Sequence, residues 1–419
     1  MTFAQALDFI HATGNLSRPG LERITELMHR LGDVQQTLRF VHVAGTNGKG
    51  STCAMLARVL CAAGYRTGLY TSPHLLRVTE RIKIDGAEIS ESDFAACAQR
   101  VSEAMAGMDD APTEFERITA MALCHFAAQK CDVVVLEVGL GGRLDATNVI
   151  TAPEVSVIAG IGLEHTDWLG DTVEKIAFEK GGIIKPTRPV VLARQSEAVE
   201  NVIRTLCRER ECALHVTAAP VPHESSVDGQ RFDYGAHADL FLPLLGGYQL
   251  ENAALAVETL ELLRAQGWRI SEEALREGLS QVQWPARLEV LRREPLVLLD
   301  GAHNPNGVDA LERALTQLLP GQKATLVMGV MGDKDFGEML ETMAPHAARF
   351  IAAAPDYYRA LPSEQLCVAA RAHLSCPVFD GGRVPQALKL ALELCKGAPV
   401  VVFGSLYQAG EVRRFFGRQ

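Results

Sequence analysis

The stretch Val41-His-Val-Ala-Gly-Thr-Asn-Gly-Lys-Gly-Ser-Thr52 packs glycines, a lysine and hydroxyls into one short segment. An apolar run over 38–43 predicts a buried strand, and a helix is predicted from Ser51 to Leu60. Gly45 and Gly48 permit a tight turn between the two. A glycine-rich turn at a helix N-terminus offers an anion its backbone N–H groups and the positive end of the helix dipole. Lys49 adds a point charge suited to the outer phosphates of a nucleotide. The pattern departs from the common phosphate-binding loop G-x-x-x-x-G-K-[ST]. Val43 stands where its first glycine belongs, and Gly50 where its hydroxyl belongs. The hydroxyl comes one residue later, at Ser51, so the phosphate-contacting set reads Gly45, Thr46, Asn47, Gly48, Lys49, Gly50 and Ser51.

Further polar groups fall just beyond predicted strand ends, where α/β sheets place ligands. Glu137 follows the apolar run Val133 to Leu136 and precedes glycines 139, 141 and 142. A buried carboxylate there needs a compensating cation. Ser72, before Pro73, is either plain turn chemistry or a neutral oxygen for Mg²⁺. His165 follows a strand predicted over 155–161, and the expected strand order brings it towards Glu137. Mg²⁺ prefers oxygen, so spacing alone does not make His165 a ligand. Asp171-Thr-Val-Glu174 resembles a capping box opening a helix that ends at Lys180 before Gly181-Gly182. Lys180 also suits a helix C-terminus simply as a cation. Asn252 lies near the start of an apolar helix from Gly247, placed to face the cleft. Asp300-Gly-Ala-His-Asn-Pro305 closes another predicted strand. No serine or cysteine nucleophile motif stands out.

The elements that position these groups alternate strand and helix. Two short helices are predicted within 2–32 around a turn at Gly14 to Gly20; Leu21 to Arg23 are either scaffold or the border of a substrate pocket. A hairpin is predicted over 80–89, a helix from Ser90, and a helix from Thr113 to Gln129. Strand, helix and strand are predicted over 189–217, a β insert over 220–242, and a helix over 271–282. Trp284 to Val290 reads as the join between a first domain, 1–290, and a second, 291–419. In the second, strands are predicted at 296–300, 325–329, 348–353 and 399–403. Helices are predicted at 306–319, 335–344, 363–373, 384–395 and 409–416. This is an α/β chain whose C-terminal part is doubly wound.

The 419 residues carry a formal net charge of -10, which argues against non-specific nucleic-acid binding. No apolar run is long enough to span a membrane, and Met1 to Ala12 does not read as a signal peptide. None of the ten cysteines forms a C-x-x-C pair, which fits reduced thiols in a cytoplasmic enzyme.

Ten stretches, in family order, resemble bacterial folylpolyglutamate synthases, often bifunctional with dihydrofolate synthase, within the Mur-ligase superfamily. They are 19–24, 41–52, 71–74, 136–148, 165–170, 179–182, 251–254, 300–305, 329–335 and 404–413. The resemblance implies a P-loop ATPase domain of Mur-ligase type followed by a smaller Rossmann-like ligase domain. It implies an ATP-dependent ligase joining L-glutamate to folate or dihydropteroate; a monomer is expected, since two domains would already enclose the site. It assigns Lys49 and its loop to the ATP phosphates, and Asn252, Arg287 and Asp300 to the nucleotide, with His303 beside Asp300. Ser72, Glu137 and His165 would bind two Mg²⁺ ions, and Lys180 would carry a carbamate beside them. Substrate contacts would fall at Leu21, Glu22, Arg23, Glu114, Phe115, Asp145, Ser405 and Tyr407. Relatives with dihydropteroate activity often have an aromatic residue where this chain has Glu114. Two other readings stay open. One is a Mur-type ligase of another carboxylate, and the other is a nucleotide-binding module without catalysis.

Overall fold

The computed structural model describes residues 1–12 and 18–418. Residues 14–17 of the predicted Gly14–Gly20 turn lie outside the described residues. The chain divides into two compact units. The first comprises residues 1–221, 233–240 and 251–282, and the second 222–232, 241–250 and 283 onward.

The first unit opens with α1 (Phe3–His11) and α2 (Glu22–Arg30), then β1 (Phe40–Ala44), α3 (Lys49–Ala62) and β2 (Thr67–Tyr70). A hairpin of β3 (Ile82–Ile84) and β4 (Ala87–Glu88) precedes α4 (Glu91–Ala104), α5 (Glu114–Ala128) and β5 (Val133–Glu137). Then come β6 (Val155–Ile158), α6 (Thr166–Leu169), α7 (Val173–Lys180), β7 (Val190–Leu192), α8 (Glu197–Glu209) and β8 (Leu214–Val216). Local chemistry sets several of these starts. Ser90 accepts from Asp93 N, and Thr113 forms a capping box with Glu116. The cap expected of Asp171 falls instead on Thr172, whose hydroxyl accepts from Lys175 N, because the chain turns helical one residue later.

These strands form one sheet in the order β4-β3-β2-β5-β1-β6-β7-β8. All neighbours from β2 to β8 run parallel, and only the hairpin is antiparallel. Central parallel strands are covered on both faces, which explains why β1 and β5 are mostly apolar and buried at every position. β6 ends at Ile158, not 161, because the chain turns under the loop after β1. There Thr46 N and Asn47 N both donate to Gly160 O.

The insert adds β9 (Val221–Ser226), β10 (Gly229–Tyr234) and β11 (His237–Leu242) as a three-stranded sheet. After it, α9 (Gly247–Ala265) and α10 (Glu272–Ser280) return the chain to the first unit.

The second unit contains β12 (Glu289–Arg293), β13 (Leu296–Leu299), α11 (Pro305–Leu318), β14 (Ala324–Met328), α12 (Phe336–Met343) and β15 (Ala347–Ala354). It ends with α13 (Ser363–His373), β16 (Val378–Arg383), α14 (Val384–Leu394), β17 (Val400–Phe403) and α15 (Leu406–Phe415). Its sheet order is β12-β13-β17-β14-β15-β16, parallel except at β12. Two of these strands escape the sequence pattern. β12 overlaps the predicted join at 284–290, and β16 was not predicted at all. Both are half-exposed edge strands with register shifts, and Asp380, Gly381 and Gly382 carry little strand propensity. Helix α15 starts at Leu406, three residues before the predicted start, because Ser405 caps it.

Helix α10 lies directly on α3, the helix that carries Lys49. A Cβ on Gly278 would sit 2.4 Å from Val59 Cα. Gly278→Ala gains about 0.5–1 kcal/mol of helix propensity. It also forces backbone against backbone, at a cost of about 1–3 kcal/mol. The expected net result is a lower urea midpoint, measured by circular dichroism; a raised midpoint would show that the two helices can separate freely.

Candidate active site

Strand β1 places Val43 opposite Glu137 of β5 and Ala44 opposite Ile158 of β6. Three loops therefore emerge side by side from the carboxyl edge of the first sheet. The loop after β1 needs its glycines. Gly45 has φ +153°, and a Cβ there would meet Ala159 Cβ at 2.8 Å; Gly48 has φ +88°, and a Cβ there would meet Asn252 Oδ1. Asn252 thus lies against the phosphate loop. Thr46 Oγ1 donates to Gly162 O and accepts from Gly162 N. Lys49 begins α3, so the helix N-terminus opens at Gly48, two residues before the predicted start.

Two ammonium groups converge on one carbonyl. Lys49 Nζ donates to Gly45 O at 2.9 Å and to Thr46 O at 3.1 Å. Lys180 Nζ donates to the same Gly45 O at 2.7 Å. Lys180 is 2% exposed. Burial, followed by the neighbouring Lys49 charge, lowers its pKa to about 7, against the pull of Glu164 and Asp145. The shift makes the neutral amine of Lys180 accessible near neutral pH.

Glu137 is 4% exposed and its Oε2 accepts from Ser72 N at 3.0 Å. Beneath it, Cys53 lies within electrostatic reach of both Glu137 and Lys49, and burial pushes its thiol well above the ordinary range. His165 sits elsewhere in the loop after β6, in the left-handed region at φ +50°, with its side chain 47% exposed and 3.7 Å from Glu164. Among the described residues, no three His, Cys, Asp or Glu side chains gather tightly enough to hold a metal ion alone. Mg²⁺ does not require such a cage. It takes one or two carboxylates together with waters and substrate phosphates. Glu137, with the neighbouring Ser72 and the Ser51 hydroxyl of α3, has that donor chemistry.

The glycine-rich segment after Glu137 is built around a buried carboxylate. Asp145 Oδ2 accepts from Leu140 N at 2.8 Å, and Oδ1 accepts from Thr147 N at 2.9 Å and Thr147 Oγ1 at 2.5 Å. Burial raises the Asp145 pKa despite these bonds. The segment in turn seats the end of α7. Arg143 N donates to Glu179 O, and Gly142 lies where a Cβ would touch the carbonyl oxygens of Glu179 and Lys180.

The residues expected at the substrate are distributed as follows. Arg23 is buried, its Nε shared between the two oxygens of Glu116 at 3.1 Å, with Asp110 at 3.3 Å. Leu21 is half-buried and Glu22 exposed. Glu114 Oε2 accepts from His11 Nδ1 at 3.1 Å. The Phe115 ring covers Gly139, where a Cβ would fall 2.6 Å from Cζ. Phe115 therefore touches the glycine-rich segment directly.

In the second unit, Asp300 closes β13. Its Oδ2 accepts from Leu288 N at 2.7 Å and Tyr248 Oη at 3.2 Å, and its Oδ1 accepts from Ala302 N at 2.8 Å. Burial raises its pKa, against Arg287 and these donors. His303 Nδ1 lies 2.8 Å from Gly301 O. Gly404 N donates to Ala302 O and Gly329 N to Phe403 O, so the three predicted polar loops meet at one sheet edge. Ser405 is buried as the cap of α15, while Tyr407 is 43% exposed and stacks on Tyr357, centroids 4.0 Å apart.

Sequence reasoning missed Glu164, Thr147 and His42 as parts of the first-unit site. His42 lies on β1, fully buried, with Nε2 2.9 Å from Thr147 Oγ1. Its only sequence signal is a polar residue inside an apolar strand. Burial, with the nearby Lys185 charge, lowers its pKa to about 3 from 6.5. Between those values the unfolded chain binds a proton that the folded chain does not, so stability rises with pH across that window. The His42 contribution is complete above pH 6.5 and is lost as pH falls towards 3. His42→Gln keeps an N–H donor without the titration. Its urea midpoint is expected to fall less steeply than wild type between pH 6.5 and 4; parallel curves would contradict this.

The Mur ligase middle domain matches residues 43–260 and the Mur ligase glutamate ligase domain matches residues 286–406. The folylpolyglutamate synthase of Lacticaseibacillus casei is 37% identical over 431 residues, covering 99% of this chain and 98% of that protein. The dihydrofolate synthase/folylpolyglutamate synthase of Bacillus subtilis is 38% identical, covering 95% of each. The Mycobacterium tuberculosis folylpolyglutamate synthase solved with ADP and AMPPCP matches with a TM-score of 0.92 at 34% identity, over 99% of both chains. Similarity of this extent, over nearly the whole length of the chain, shows that the chain belongs to the folylpolyglutamate synthase/dihydrofolate synthase family of Mur ligases.

Proposed function

We infer that this chain is an ATP-dependent carboxylate–amine ligase that adds L-glutamate to folates, and we propose that it also takes dihydropteroate. Family membership over nearly the whole length supports the ligase reading. The observation that carries the site assignment is the convergence of Lys49 and Lys180 on Gly45 O beside the buried Glu137.

A carboxylate does not react with an amine at neutral pH without activation. Transfer of the ATP γ-phosphoryl group to the folate carboxylate forms a C–O–P bond and releases ADP. The glutamate amine then attacks the acyl carbon, a tetrahedral intermediate forms, and phosphate leaves with the C–O bond broken. The chain contributes position and charge to these steps. The backbone N–H groups at the start of α3 hold the phosphates. Lys49 turns from its own loop carbonyls to the outer phosphates and matches the negative charge of the transferring group. Ser72, Glu137, His165 and a carbamate on Lys180 would hold two Mg²⁺ ions, which when bound supply further charge neutralisation. The neutral amine of Lys180 is the form that adds CO₂: its lone pair forms the N–C bond and a proton is released. The carbamate replaces a buried cation with an anion suited to the metal. Asn252, beside Gly48, and the Arg287 and Asp300 loop are assigned to the nucleotide. His303, beside Asp300, is assigned a catalytic role with Lys49, Glu137, His165 and Lys180, while Ser405 and Tyr407 are assigned, with Leu21, Glu22, Arg23, Glu114, Phe115 and Asp145, to the folate and glutamate substrates.

No helix among the described residues is long and apolar enough to cross a membrane, and the ten cysteines are free thiols. Together with the family, these features support a cytoplasmic enzyme, which we take to be a monomer.

Lys49→Ala is expected to remove about 3–4 kcal/mol of transition-state stabilisation, a loss of roughly 150- to 900-fold in kcat. Glu137→Ala is expected to abolish ligation with an unchanged circular dichroism spectrum; near-normal turnover would remove it from the metal site. The reading as a whole is tested by mass spectrometry of products from Mg-ATP, L-glutamate and either dihydropteroate or a reduced folate. Product with both is expected. Product with folate alone would limit the activity to polyglutamylation and point to Glu114, and product with neither would overturn the substrate assignment.

A further inference from the structure

A line of buried hydrogen bonds joins the phosphate-loop strand to the segment that follows Glu137, and it leaves no spare proton. Thr147 is fully buried. Its single hydroxyl proton goes to Asp145 Oδ1, which also accepts from Thr147 N, while Asp145 Oδ2 accepts from Leu140 N. The Thr147 oxygen must then accept from His42, at 2.9 Å, so the His42 proton resides on Nε2. His42 Nδ1 is buried without a hydrogen-bond partner among the described residues, as a neutral ring in one tautomer requires. Threonine is the smallest side chain that both fills this position with a methyl group and passes one hydrogen bond on while receiving another.

The bonds start and end at places that matter. His42 lies three residues before Gly45, whose carbonyl receives Lys49 and Lys180. The loop closed by Asp145 begins at Leu140, three residues after Glu137, and through Arg143 N and Gly142 it carries the end of α7, where Lys180 sits. Asn148 adds to this seat by donating to Arg143 O at 3.0 Å and Gly182 O at 3.3 Å. Neither His42 nor Thr147 is exposed, so neither reaches a substrate.

We propose that Thr147 is a positioning residue for the ligation: its hydroxyl locks the Asp145-closed loop to β1 through His42 and so sets Glu137 and Lys180 against the phosphate loop. The proposal rests on the ligase reading above. Replacing Thr147 with the near-isosteric valine strands the His42 Nε2–H and removes one bond from Asp145, with little change in volume.

The test uses the full-length enzyme with Mg-ATP, L-glutamate and a reduced folate. Thr147→Val is expected to lower kcat roughly 10- to 100-fold through misplaced reacting groups, with KM for ATP nearly unchanged. Thr147→Ser, which keeps the hydroxyl, is expected to restore most of kcat. His42→Leu combined with Thr147→Val removes both buried partners and is expected to recover melting temperature relative to Thr147→Val, while kcat stays low. Recovery of kcat together with melting temperature would reduce the network to ordinary stability and overturn the proposal, as would wild-type kcat in Thr147→Val. An inactive parent enzyme would instead mark failure of the ligase reading. Amide exchange over 140–148 reads the clamp without turnover. It should quicken in Thr147→Val, and unchanged exchange would also overturn the proposal.

Discussion

Holding two lysine ammonium groups on the carbonyl oxygen of Gly45 is the constraint on which the first unit depends. Like charges so close, one of them almost without solvent, repel each other and resist burial. The arrangement persists because carboxylates surround it. Glu137 stands on the neighbouring strand, and Asp145 and Glu164 act on Lys180 from adjacent loops. Both ammonium groups also lie at the N-terminus of α3, where a helix presents unpaired N–H groups and the positive end of its dipole.

A parallel sheet makes this crowding possible. With β1 between β5 and β6, three strands end at the same level and release three loops into one space. The second unit repeats the principle: β13, β17 and β14 lie side by side and bring the loops at 300–305, 404–408 and 329–335 together. Each unit also organises its loops with a buried aspartate. Asp145 and Asp300 both accept from the backbone N–H two residues on, from a second distant N–H, and from a hydroxyl, Thr147 or Tyr248. Backbone donors stabilise the charged form without a counter-charge, so a carboxylate can sit in the interior and act as a template for irregular chain.

Most of the architecture was legible in the residues. Apolar runs ending in polar loops gave β1, β5, β13 and β17, and the caps at Ser90 and Thr113 followed from local side-chain chemistry alone. The strands that escaped were β12 and β16. Both are edges held by pairing to one neighbour, and neither needs a strongly apolar sequence. The join between units was blurred for the same reason, since Glu289 and Val290 read as linker until β13 is present to pair with them.

The sequence by itself determined which residues could do chemistry. A glycine-rich turn before Lys49 has few other uses, and an acid at the end of a buried strand is costly without a cation nearby. Tertiary structure decided which of these groups meet. Lys180 lies 131 positions beyond Lys49, yet both reach the same oxygen, whereas His165, one loop away, stays half in solvent. Tertiary structure also supplied His42 and Thr147, 105 positions apart and joined by one hydrogen bond. Local sequence encodes propensity and periodicity, which act over a few residues. The distances that set pKa and hydrogen bonding arise only when strand order brings remote segments side by side.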